Sequence, residues 1–165
     1  MISKKLAKAI NEQIAKEIYS SNLYLSMAGY YHSISLNGMA NWMRAQSTEE
    51  LEHAYKLFDF LLDRGGVPVI GKIDSPPNHW ETPLEGFQVA YEHEQKITES
   101  INKLARLAQK EKDLPLEVLL HWFISEQVEE EATVSELVDR LKLASDSPGG
   151  VFIFDNELRA KNITE

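Results

Sequence analysis

The chain has 165 residues, 43% of them hydrophobic and 26% charged, which is globular composition and enough length for one well-buried core. It contains no cysteine, so disulfides, thiolate metal sites and cysteine nucleophiles are excluded and any metal must be held by oxygen and imidazole. The formal net charge of −9 opposes a nucleic-acid surface and suits a protein that attracts cations.

The first twenty residues carry charges among their apolar positions and do not form a secretory leader, and no apolar run approaches the roughly 20 residues of a membrane span. A cytoplasmic protein is expected. From about Lys4 to Tyr31 apolar residues recur at helical spacing, Asn37-Gly38 marks a break, and a second helix runs to about Arg64. Gly65-Gly66 stops it as a left-handed cap. A Gly- and Pro-rich stretch without helical period follows, up to Thr82-Pro83-Leu84-Glu85, which combines an N-cap, a first-turn proline and a capping-box glutamate. The third helix runs to about Lys110. Asp113, followed by Pro115, caps a fourth that continues to about Ala144. After Ser147-Pro148-Gly149-Gly150 the apolar segment VFIFDNEL reads as a short fifth helix, about 148–161, or an extended tail. The predicted fold is all-α: one domain over 1–165, with a four-helix bundle over about 4–144. The glycine- and proline-rich connection is long enough to run the length of the bundle, which permits helices two and three to be parallel.

Each predicted core seam is interrupted by polar or ionisable residues. The second helix reads Met43, Gln46, Glu50, His53, Leu57, Phe60. The first places Glu17 and Tyr24 between Ile10 and Tyr31, with Leu6, Met27 and Ala28 alongside, and the third gives Phe87, Tyr91, Glu94, Thr98, Ile101. The fourth runs Leu116, Leu120, Phe123, Gln127, Glu130, Val134, Leu137, Leu141. If helices one and four run up and two and three run down, the interruptions meet at one level.

A lone Glu or His at a core position is more often a surface residue with a misjudged helix phase, but coincidence on four helices is improbable. Four buried carboxylates without compensation are prohibitive, and no Lys or Arg shares their level in these seams. A pair of cations compensates them, with Glu50 or Glu130 bridging, and oxygen-rich ligation with one imidazole suits iron or manganese. Tyr24 serves equally as a hydrogen-bonded core tyrosine or as a partner of that site. Glu49, Glu126 and Glu129 form either a solvated acidic strip or a further, weaker metal position. Trp122 reads as packing, and His32, His79, His93 and His121 read as surface or structural residues.

Glu17 with Tyr24, the Glu50-Leu51-Glu52-His53 stretch, Glu94, and Gln127 with Glu130 resemble the ferroxidase site of the non-haem ferritins, particularly the bacterial and archaeal type, over essentially the whole chain. The resemblance implies a ferritin-like bundle with a long crossover between helices two and three and a short fifth helix. It implies a first iron held by Glu17, Glu50 and His53 and a second by Glu50, Glu94 and Glu130. Gln127 would orient a bound oxygen species or water, Tyr24 would hydrogen-bond a ligand and donate an electron, and Glu49, Glu126 and Glu129 would hold a third iron. Oxidation of Fe(II) by oxygen or hydrogen peroxide, storage as a ferric mineral and a homo-oligomeric cage of 24 subunits follow from the same likeness. Leu51 stands where bacterioferritins carry a haem methionine, so no haem is expected. Glu117 falls where the family lines a threefold pore, and Leu120 is apolar where an animal ferritin has a second acid.

Overall fold

A computed structural model describes residues 1–164, with side chains to residue 160; Glu165 lies outside the described residues. Five helices follow in order: α1 Lys4–Ser33, α2 Asn37–Asp63, α3 Pro83–Glu111, α4 Leu114–Ala144 and α5 Pro148–Thr164. The segment after residue 147, left open between helix and tail, is helical.

The helix ends use the chemistry written in the sequence. Ser3, Thr82 and Asp113 accept hydrogen bonds from the free amides of Leu6, Glu85 and Leu116 in the first turns of α1, α3 and α4. The Glu85 carboxylate reaches back to the amide of Glu81 at 2.6 Å. Gly65 takes φ +72° after α2, the left-handed conformation that stops a helix at no steric penalty. The first break, expected at Asn37-Gly38, lies earlier: Ser35 adopts φ 65° and α2 already begins at Asn37. Gly38 answers a different constraint. It sits where α2 meets α5, and a β-carbon there would overlap the backbone carbonyl of Asp155. The buried Asp155 carboxylate accepts from the Met39 amide at 2.7 Å, so α5 docks by capping the start of α2.

Contacts between the helices establish their directions. The Ile2 amide donates to the Arg64 carbonyl, so α1 begins where α2 ends. Tyr31 donates to the carbonyl of Pro83, so α1 ends where α3 begins, and Arg64 pairs with Asp113 through two hydrogen bonds of 2.8 and 2.9 Å, so α2 ends where α4 begins. Helices α1 and α4 therefore run one way and α2 and α3 the other. The connection from α2 to α3 spans the bundle along α1: Asn11 holds the backbone of Val67 and Val69, and further along Ser26 holds that of Pro77.

The apolar core is divided in two. One cluster includes Met27, Tyr31, Met39, Met43, Phe87, Val134 and Leu141, with Phe154 of α5 closing that end. The other includes Leu6, Ile10, Ile14, Leu57, Leu61, Ile101, Leu116 and Phe123. All eight expected seam positions of α4 are buried. On α2 the seam ends at fully buried Leu61, with Phe60 only half-buried, and on α3 Ala90 and Ile97 take core positions while Tyr91 and Thr98 lie at its margin. A straight helix drifts from a seven-residue repeat by about 20° per heptad, and these substitutions by a neighbouring position follow that drift.

A helix-interior Gly→Ala change is ordinarily favourable by up to about 1 kcal/mol. At Gly29, where an added methyl meets open space, that gain is expected. At Gly38 the same change is expected to destabilise by about 1–3 kcal/mol through overpacking against α5. Denaturant titration of the two variants checks this, and a stabilised Gly38→Ala would contradict the docking described.

Candidate metal centre

Between the two apolar clusters lies a charged layer to which four helices contribute. Glu17 and Tyr24 come from α1, Glu50 and His53 from α2, Glu94 from α3, and Gln127 and Glu130 from α4; all seven are buried. The spacings follow from helical geometry: Glu50 and His53, and likewise Gln127 and Glu130, are three residues apart and share one face. The layer lies at the level that antiparallel counting from the shared end indicates.

Two groups of ligand atoms form in this layer. Carboxylate oxygens of Glu17 and Glu50 and a ring nitrogen of His53 lie within 4.8 Å of one another, and so do oxygens of Glu50, Glu94 and Glu130. Glu50 belongs to both. Its Oε2 lies 3.4 Å from His53 Nδ1.

The hydrogen bonds sort the oxygens. Tyr24 donates to Glu94 Oε1 at 2.5 Å, and the Gln127 amide donates to Glu94 Oε2 at 3.2 Å and to Thr98 Oγ1 at 3.2 Å. Gln13 Nε2 donates to Glu17 Oε1 at 2.8 Å. Glu17 Oε2 and both carboxylate oxygens of Glu50 are buried and accept from no amide, hydroxyl or ring donor; the two carboxyls lie within hydrogen-bond reach of each other, a contact open to them only while a proton is shared. A buried carboxylate oxygen without a donor is costly, and positive charge placed among these oxygens would offset that cost.

The electrostatics agree. Burial pushes Glu17 up to about 7, and burial together with the charges of Glu94, Glu17 and Glu130 raises Glu50 well above the carboxylate range. Glu94 is raised by burial, and Glu130 is pushed up to about 8 by burial and by Glu94, Glu49, Glu126 and Glu129. Burial, assisted by Lys56, holds His53 down to about 4, so its ring is neutral at physiological pH and available as a ligand. Tyr24 is raised far above its ordinary value by burial and by the nearby carboxylates, and remains a proton donor to Glu94.

The outlying acids divide. Glu126 joins His53 and Glu130 in a third group of ligand atoms within 4.8 Å. Glu49 and Glu129 are exposed and act on Glu130 through their charge. Trp122 packs edge-on against His53, with its centroid 5.4 Å away, and the Lys56 ammonium lies over the Trp122 ring, 4.3 Å from its centroid. Together with Glu49, Glu52 and Glu126 these three line a solvent-open cleft that leads to the His53 ring. Leu120, apolar where an animal ferritin has an acid, is wholly buried in the core cluster with Leu116 and Phe123. His93 is structural, bonded to Ser20 Oγ at 2.7 Å and packed on Tyr19. Gln13, absent from the residues the sequence singles out, lies one turn before Glu17 on the same buried face.

Comparison with known proteins decides the family. Residues 7–144 match the ferritin-like domain. The chain is 46% identical to a bacterial non-haem ferritin of Bacteroides fragilis over 96% of its own length and 98% of the relative's. This chain belongs to the non-haem ferritin family. A bacterial non-haem ferritin of Escherichia coli is 38% identical, with 96% of each chain covered. Among solved structures, an open-pore ferritin from the hyperthermophilic archaeon Archaeoglobus fulgidus superposes with a TM-score of 0.94 at 45% identity, covering 96% of this chain and 98% of that one.

The raised carboxylates fix the pH dependence of the metal-free ferritin chain. Folded Glu17 and Glu130 hold protons to about pH 7 and 8, whereas an unfolded carboxylate releases them near 4.5, so their contribution to stability is lost as pH rises through that window. His53, held at about 4, works in the opposite sense and only below its ordinary value of 6.5. Between pH 6.5 and 8 the carboxylates dominate. Calorimetry of the metal-free protein is expected to show Tm falling across this range, less steeply in Glu130→Gln. Co(II) is expected to raise Tm more at pH 8 than at pH 6, since binding displaces those protons.

Proposed function

We propose that this chain is an iron-storage ferritin with ferroxidase activity, which oxidises Fe(II) to Fe(III) at a dinuclear carboxylate centre and keeps it as a ferric oxyhydroxide mineral inside a cage of its own copies. The observation that carries this reading is Glu50: a buried carboxylate with both oxygens bare, shared by two ligand groups.

In this reading iron is the substrate. One Fe(II) is held by Glu17, Glu50 and His53, a second by Glu50, Glu94 and Glu130, and Glu50 bridges them. Two adjacent Fe(II) ions together supply the two electrons and two protons from solvent complete the reduction of one oxygen to hydrogen peroxide, leaving two Fe(III). Hydrogen peroxide as oxidant takes the same two electrons and two protons to give two waters. Hard carboxylate oxygens favour Fe(III) over Fe(II), which assists the oxidation. Tyr24 and Gln127 fix the Glu94 carboxylate by bonding one oxygen each, and in this reading Gln127 also orients an oxygen species or water. Glu126, with Glu49 and Glu129 beside it, provides the third iron position on the way to or from the cleft beside Trp122.

A homo-oligomeric, 24-subunit cage in the cytoplasm completes the proposal. No described helix is long and apolar enough to cross a membrane. The alternative is a dinuclear redox enzyme that acts on an organic substrate without storing iron.

Replacing a ligand costs more than the 10–100-fold in metal affinity typical of its outer partners, so Glu50→Ala and His53→Ala are each expected to lower the fast phase of Fe(II) oxidation by at least about a hundredfold in stopped-flow absorbance. Wild-type oxidation rates in both variants would reject the site. Gel filtration after iron loading tests storage: far more iron than the side chains can ligate is expected to elute with the assembly, whereas two or three ions per chain would favour the redox-enzyme alternative.

A further inference from the structure

One line of polar side chains leaves the metal centre and ends at the surface between α1 and α3. Glu17 Oε1 accepts from Gln13 Nε2 at 2.8 Å, Gln13 Oε1 accepts from Ser100 Oγ, and Ser100 Oγ accepts from Lys16 Nζ at 2.9 Å. Gln13 is 2% exposed and Ser100 9%, while the Lys16 ammonium reaches in from the solvent-exposed side.

The direction of every bond in this line follows from its outer end. An ammonium has three donors and no acceptor, so Ser100 can only accept from Lys16 and is left with one proton to give. That proton goes to the Gln13 carbonyl oxygen. The Gln13 amide group must then turn its NH2 toward Glu17, and an ionised carboxylate is a matching acceptor. A hydroxyl or amide alone would be free to flip; tied to Lys16, the series is locked with donors aimed inward. Each polarised bond strengthens the next in a low-dielectric interior.

The consequence lies at the far oxygen. With Oε1 pinned by Gln13, Glu17 keeps Oε2 bare, and a carboxylate oxygen of Glu17 lies within 4.8 Å of ligand atoms of Glu50 and His53. Glu94 is pinned differently, by Tyr24 and Gln127 on its two oxygens, and makes no use of this line.

We propose that Gln13, Ser100 and Lys16 are positioning residues that orient the Glu17 carboxylate, and thereby set the affinity of the Glu17–Glu50–His53 metal position independently of the Glu50–Glu94–Glu130 position. None of the three touches metal in this account. The inference rests on the dinuclear reading of the centre, and its test separates the two.

Co(II) serves as a redox-inert probe. The assembled wild-type protein and the variants Gln13→Leu, Ser100→Ala, Lys16→Met and Lys16→Arg are titrated with it, followed by visible absorption, and crystals equilibrated at graded Co(II) concentrations give occupancy at each position by anomalous scattering. Loss of an outer hydrogen-bond partner typically weakens a metal site by about 10–100-fold, which is the change expected at the Glu17 position in Gln13→Leu and Ser100→Ala, with less than about threefold at the Glu94–Glu130 position. Lys16→Met, which removes only the outermost donor, is expected to weaken the Glu17 position by less than tenfold, and Lys16→Arg to restore it. Ser100→Ala and the surface Lys16 changes preserve helix propensity, so the test stands even if Gln13→Leu fails to assemble. Equal weakening at both positions would show a merely structural tie between α1 and α3 and overturn the proposal, as would wild-type affinity at both positions in Ser100→Ala and Lys16→Met. Absence of Co(II) from the Glu17 position of the wild-type protein would instead refute the dinuclear reading beneath it.

Discussion

The structure depends on the mutual burial of Glu17, Glu50, Glu94 and Glu130 at one level of a helical bundle. Each of these groups alone would favour the neutral form, and together they repel. Fold and function are linked through that repulsion. Apolar clusters above and below the layer supply the stability that lets it persist, and in the proposed reading cations relieve the charge the clusters enclose. A bundle filled with leucine at these positions would be more stable and would have no reason to bind metal.

The four acids are not equivalent. Glu94 has both oxygens occupied by donors, Glu17 has one, and Glu50 has none. This gradation converts a symmetric cluster into two distinguishable ligand groups with a bare carboxylate between them. The neutral His53 ring belongs to the Glu17–Glu50 group and not to the Glu50–Glu94–Glu130 group, and it lines the cleft beside Trp122, so the two groups differ in ligand type and in access. In the proposed reading, a dinuclear centre of this form would bind its two ions with different affinities, which suits a reaction that must collect a pair before it proceeds.

Much of this was legible in the sequence, for identifiable reasons. Long helices with strong periodicity reveal their buried faces, so the interruptions at Glu17, Glu50, Glu94 and Glu130 could be read as a layer, and Thr82-Pro83 and Asp113 fixed where helices begin. The direction of α3 was not settled by counting alone; it took contacts distant in sequence, such as Tyr31 with Pro83 and Arg64 with Asp113. Seven-residue counting drifts on a straight helix, which displaced Phe60 and Tyr91 from the core in favour of Leu61 and Ala90. Gly38 was taken for a breaker because its role, admitting the backbone of α5, involves a partner more than a hundred residues away. Gln13 and Ser100 escaped notice because a buried amide or hydroxyl becomes informative only when the group it bonds is known.

The central claim is that cations, held in two positions bridged by Glu50, compensate the buried charge. Anaerobic soaking of crystals in Fe(II), followed by diffraction on either side of the iron absorption edge, tests it most directly. The account predicts two anomalous peaks in each chain within the layer, one against Glu17 and His53 and the other against Glu94 and Glu130, with Glu50 contacting both. Iron confined to exposed acids, with the layer left empty, would contradict it.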